Sequence, residues 1–212
     1  MKIVCVGQNY RAHSKEMGGD PNAEPVLFGK FSDTVLAPGE PIALPRESTH
    51  VDAEAELAVV IGKSARRISQ ERALDAVAGY ACANDVSARD LQYGDGQWFR
   101  GKNFATFCPI WPLHDPVPVS ELGDGSGLRV MQVLNGETIQ DGNTEDLIFS
   151  VPYLVAFAST LFTLEPGDVV LTGTPAGVGW ARDPKLSLQD GDTVEVIVAG
   201  IGTLSNPVVR ES

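Results

Sequence analysis

Apolar residues along the chain fall into short runs separated by Gly- and Pro-bearing turns, the spacing of strands rather than of long helices. Residues 2–6 predict a first strand that stops at Gly7. Residues 54–61 read Glu-Ala-Glu-Leu-Ala-Val-Val-Ile, a strand that begins half polar and ends buried. Residues 80–86 predict another buried strand, after which Ser87 is placed to cap a helical turn over 89–93. Arg129 to Leu134, Asn135-Gly136 and residues 137–140 form a hairpin pattern, because Asn-Gly accepts the positive φ of a type I′ turn. Residues 168–171, 193–198 and a final Gly-punctuated pair complete the strands.

Helical spacing is rarer. Residues 69–77 predict a short amphipathic helix capped by Ser69, with Ala73, Leu74 and Val77 on one face. A longer helix opens at Ser150 with Pro152 in its first turn and Leu154, Phe157, Ala158 and Leu161 as its apolar stripe, and Pro166-Gly167 stops it. Residues 8–24 are polar, hold one helical turn near His13 to Met17 and carry the breaker Gly18-Gly19-Asp20-Pro21, the pattern of a mobile lid. No repeat or linker divides the chain. The expectation is one domain over residues 1–212, α+β and β-rich, with few short helices.

Composition narrows the partners. With 212 residues, 43% hydrophobic and 21% charged, the chain can bury a core without disulfides or structural metal. A formal net charge of −12 sets it against phosphate backbones and anionic lipid, so neither nucleic acid nor membrane is expected as a partner. Cys5, Cys82 and Cys108 have no CxxC spacing and read as small buried hydrophobes of a reducing compartment. The opening residues show no leader pattern, and residues 151–164 are too short an apolar run to span a bilayer, so a cytoplasmic protein is expected.

Several groups could carry chemistry. Glu54 and Glu56, two apart on a strand, project to the same side, either as a paired carboxylate site or as a solvated strand entry. Asp85 ends the next apolar strand, as a third carboxylate or as a turn residue; joined to the other two it would make an all-oxygen set suited to Mg²⁺ or Mn²⁺. His13 and Glu16 are three apart on one helical face, the spacing of an imidazole–carboxylate dyad or of an idle surface pair. Lys30, Arg89, Gln92, Arg100 and Lys102 could bind an anionic substrate or serve as surface counter-charges. Residues 171–179, a strand running into a Gly-rich loop, expose backbone N–H groups able to hold a carboxylate.

Taken together, these segments resemble the fumarylacetoacetate hydrolase family, in its small single-domain acylpyruvase-like branch. The matches occur in family order: residues 6–13 with Glu16-Met17, residues 25–28 with Lys30, residues 54–57, residues 84–90, residues 101–104, and residues 172–179. The resemblance implies a rolled mixed β-sheet, a homodimer, and Mg²⁺ or Mn²⁺ held by Glu54, Glu56 and Asp85. It implies Lys102 and Thr174 at a small anionic 2-oxo acid substrate, with Arg89 and Gln92 nearby, Lys30 on the substrate side, and a His13–Glu16 dyad on the lid. The chemistry it implies first is acylpyruvate hydrolysis or oxaloacetate decarboxylation through an enolate, and second an isomerase or tautomerase of 2-oxo/2-hydroxy dicarboxylates. Three positions depart from the pattern. Phe31 replaces a common proline, Ala105 replaces a common acid, and the stretch from Trp98 to Lys102 is closer to isomerising members.

Overall fold

The computed structural model describes residues 1–18 and 23–211. Its strands are β1 (Ile3–Gly7), β2 (Val26–Lys30), β3 (Val35–Leu36), β4 (Ile42–Leu44), β5 (Val51–Asp52), β6 (Ala55–Ile61), β7 (Val77–Asn84) and β8 (Ser87–Ala88). They continue as β9 (Cys108–Trp111), β10 (Val117–Pro118), β11 (Arg129–Leu134), β12 (Glu137–Asn143), β13 (Val169–Leu171), β14 (Thr193–Val198) and β15 (Gly202–Arg210). The α-helices are α1 (Arg11–Glu16), α2 (Arg89–Gly94), α3 (Phe99–Lys102), α4 (Val119–Leu122) and α5 (Val151–Leu161).

A curled sheet runs β2-β1-β13-β6-β7-β9-β3, with β10 added beside β7. A second sheet, β12-β11-β14-β15-β4, packs on it, and β5 pairs with β8. Pairs β1–β13, β3–β9 and β4–β15 are parallel and the others antiparallel, so the roll is mixed, β-rich and poor in helix, as expected.

Strand alternation divides β6 between two cores. Leu57, Val59 and Ile61 face Val130, Val196 and Leu204 of the second sheet together with Leu154, Val155 and Ala158 of α5. Ala58 and Val60 face the inside of the curl, with Ile3, Cys5, Ala81, Ala83, Cys108 and Leu171. Small side chains fill that inner face, and burial lifts the Cys108 thiol to about 12, so the thiols are inert core as expected.

The hairpin turn is built as predicted, Asn135 and Gly136 having φ of 52° and 85°. Three local expectations need correction. Residues 70–76 form a 3₁₀ helix, and the Ser69 side chain makes no cap bond. Ser87 does not cap α2, whose N-cap is Ala88; its hydroxyl donates to Asp85 O instead. In α5 the buried face is Val151, Leu154, Val155, Ala158 and Ser159, while Leu161 is 56% exposed, because the helix lies rotated so that β-branched and small residues meet the sheet. Within the lid expectation, α1 is formed and residues 19–22 lie outside the described residues. No helix among the described residues is long and apolar enough to cross a membrane.

Candidate metal centre

The site follows from the inner core by one more step of alternation. Two residues beyond Ala58 lies Glu56, two beyond Ala83 lies Asp85, two beyond Cys5 lies Gly7, and two beyond Leu171 lies Gly173. Each strand thus ends its apolar face and presents a polar or bare position at the same end of the roll. Asp85 N donates to Glu54 O at 3.0 Å, which closes the turn after β7 against the start of β6. Carboxylate oxygens of Glu54, Glu56 and Asp85 come within 4.8 Å of one another, and all three residues are buried. The solvated strand entry and the simple turn aspartate are therefore excluded.

Cations surround the cluster. Lys102 Nζ donates to Glu54 at 2.8 Å and to Asp85 at 2.7 Å. Lys30 Nζ donates to the other oxygen of Asp85 at 2.6 Å and to Val86 O at 3.1 Å. Arg89 Nη2 lies 2.6 Å from Glu54 Oε1, and its Nη1 donates to Gln92 Oε1 at 3.1 Å. Burial alone would raise the Glu54 carboxyl, but Arg89 and Lys102 hold it well below the usual carboxylate range. Burial, with Asp85 and Glu54 alongside, pushes the Glu56 carboxyl well above its ordinary value. Burial works against a charged Lys102, yet Asp85 and Glu54 keep its pKa above that of a free lysine.

Asp52 is the member of this cluster that sequence spacing did not single out. It is buried and accepts from Arg89 Nε and Nη2 at 3.1 and 3.0 Å, and from the backbone N–H groups of Gly179 and Trp180 at 3.0 Å each. By formal charge alone, the four carboxylates of Asp52, Glu54, Glu56 and Asp85 exceed the three cations Lys30, Arg89 and Lys102 by one. An all-oxygen donor set with excess negative charge fits a hard divalent cation.

The Gly-rich loop does hold carboxylates, those of the chain itself. Gly173 N donates to Glu56 at 2.6 Å and Gly177 N to Glu16 at 2.9 Å, in addition to the two bonds to Asp52. Thr174 donates its hydroxyl to Ala55 O and accepts from Gln140 Nε2, so Gln140, another residue that sequence spacing left unmarked, orients it. On α1, His13 Nδ1 meets Glu16 Oε2 at 2.9 Å, with His13 buried. Asn9 anchors the approach to α1 by donating to Thr172 O and Phe149 O.

A cavity of about 30 Å³ opens over the cluster, lined on one side by Glu54, Glu56, Asp85, Arg89, Lys102 and Thr174. His13, Met17, Phe28, Gln92, Tyr93 and Trp98 contribute the other walls. Of the residues singled out in the sequence, Lys30 does not line it and sits instead behind Asp85. Arg100 is exposed and pairs with Asp95 on the surface.

A curled β-roll carries three convergent buried carboxylates beside three buried cations at one end. The fumarylacetoacetate hydrolase C-terminal domain model matches residues 2–209, and the chain belongs to that family, whose members include hydrolases, isomerases and tautomerases. It is 45% identical to the mitochondrial oxaloacetate tautomerase of Xenopus laevis over 98% of its own length, and spans 65% of that protein. The structure of 5-carboxymethyl-2-hydroxymuconate delta-isomerase from Mycobacterium smegmatis superposes with a TM-score of 0.87 at 43% identity, covering 100% of this chain and 79% of that one. Fumarylpyruvate hydrolase from Pseudomonas aeruginosa, solved with Mn²⁺ and pyruvate, superposes with a TM-score of 0.88 at 36% identity, covering 100% and 90%.

Proposed function

We propose that this chain is a divalent-cation-dependent enzyme that enolises a small 2-oxo dicarboxylic acid, and that keto–enol tautomerisation of oxaloacetate is its reaction. The observation that carries this reading is the cavity. In it the His13 ring, engaged at Nδ1 by Glu16, faces the same space as the three carboxylates, Lys102, Arg89 and Thr174, so a proton acceptor and an anion-binding wall meet at one small site. The activity for which the Xenopus relative is named agrees with it.

A Mg²⁺ or Mn²⁺ ion held by Glu54, Glu56 and Asp85 would supply Lewis acidity toward the 2-oxo and carboxylate oxygens. Lys102, held charged, stabilises negative charge developing on the 2-oxygen, and Arg89 and Thr174 border the carboxylate end. Because Glu16 engages Nδ1 of His13, Nε2 is the ring nitrogen left to take a proton from C3 and return it to the oxygen. Acylpyruvate hydrolysis is the second reading. The same dyad favours it, since it could deprotonate water, and oxaloacetate decarboxylation would share the enolate without needing the base.

The test is a Mg²⁺-supplemented panel following enol absorbance of oxaloacetate, CO₂ release, and pyruvate formation from acetylpyruvate. Glu54→Ala should abolish tautomerisation, and His13→Ala should slow it by about 10²–10⁴-fold. Pyruvate release from acetylpyruvate without any tautomerisation would replace this reading with the hydrolase.

A further inference from the structure

We propose that Trp98 sets the chain length of the acids this site accepts, its indole forming, with Phe28, a partition between the carboxylate-lined cavity and a larger apolar groove behind it. The inference deepens the 2-oxo acid reading and rests on it. The groove measures about 340 Å³, is lined by Val26, Leu27, Gly96 and Gln97, and shares Phe28 and Trp98 with the 30 Å³ cavity. The two spaces meet at these two side chains.

The two rings are not equally movable. Phe28 belongs to β2, paired opposite Cys5 of β1, and Lys102 Nζ sits 5.1 Å from its ring centroid. Trp98 lies in the connection between α2 and α3 and meets Phe28 edge-on, with ring centroids 5.3 Å apart at 75°. Its six-membered ring rests against Gly7, where a Cβ would overlap it, so the bare backbone at Gly7 is what admits the indole. The polar end of the cavity orients the 2-oxo carboxylate, and the chain beyond C3 or C4 then points at the partition. With the indole in place a longer chain meets the ring and not the groove. Without it the chain enters walls made by Val26 and Leu27, which suit methylenes and not charge.

Calorimetric binding of 2-oxobutanoate, 2-oxohexanoate and 2-oxooctanoate to the Mg²⁺-loaded protein reads this directly. Wild type should gain nothing, or lose affinity, as the chain lengthens. Trp98→Ala should gain roughly fourfold in affinity per methylene that enters the groove. Trp98→Leu, a milder change, should show an intermediate slope, so the outcome does not hang on the folding of one variant. Equal slopes in wild type and both variants would overturn the proposal, as would a wild type that already gains with every methylene. Because the readout is binding, a wild type that fails to tautomerise oxaloacetate would sink the functional reading while the slopes still decide the role of Trp98.

Discussion

Asp85 shows how far a single residue is legible in the sequence. Its place at the end of an apolar strand marks it as a candidate carboxylate, and two-residue spacing marks Glu54 and Glu56. Nothing local marks what Asp85 rests on. Lys30, 55 residues away, fills one of its oxygens with a side chain that has no exposed surface. The resemblance places that lysine on the substrate side, whereas at the β2 position opposite Ile3 it reaches Asp85 and Val86 O and does not line the cavity. Removing one partner of a buried pair leaves an uncompensated charge at a cost of about 3–5 kcal/mol. Lys30→Met should therefore lower the melting temperature by about 6–20 °C, read by thermal unfolding, since each kcal/mol shifts a chain of this size by about 2–4 °C. An unchanged melting temperature would show that Lys30 does not neutralise Asp85. Asp52 and Gln140 escape for the same reason: their partners, Gly179 and Thr174, are 127 and 34 residues distant, and no spacing rule reaches that far.

Elements are most legible where their cause is local. The 135–136 turn follows from two residues that tolerate positive φ, and β6 and β7 from continuous apolar runs. Errors arise where tertiary packing chooses among options that are locally similar, as with the 3₁₀ form of residues 70–76 and the rotation of α5. The parallel joining of β1 to β13 is such a nonlocal choice, and Asp168 secures it. Buried beside Lys2, it accepts from the Lys2 backbone N–H at 2.6 Å and from Glu165 N at 2.8 Å, and pairs with the Lys2 ammonium. Burial would raise its carboxyl, but these donors pull it below the ordinary 3.8. A depressed folded-state value means that Asp168 stabilises the fold above the unfolded value and loses that contribution as pH falls through the folded one. Asp168→Asn should thus lower stability at neutral pH, and the difference from wild type should shrink in denaturant titrations below pH 3.8.

For the whole molecule, the −12 charge argues against polyanionic partners yet says nothing of the pocket, where three cations nearly balance four carboxylates. A bound divalent ion would turn the local excess positive, as an anionic substrate requires. Mg²⁺ or Mn²⁺ at a hundred times its Kd should stabilise the fold by about 2.7 kcal/mol. That is about 5–11 °C in scanning calorimetry, reversed by EDTA and absent in Glu54→Ala. A melting curve indifferent to cation and chelator would rule the cation site out. The loop from Thr172 to Trp180 carries a further consequence. Gly173 N donates to Glu56 of the carboxylate cluster, and four residues on Gly177 N donates to Glu16 of α1, the helix that brings His13 to the cavity wall. One peptide stretch thus ties the carboxylate cluster to α1. Were a cation at the cluster to shift this stretch, the hold on α1 would change with it, and reciprocity would then demand that α1 change the hold on the cation by the same factor.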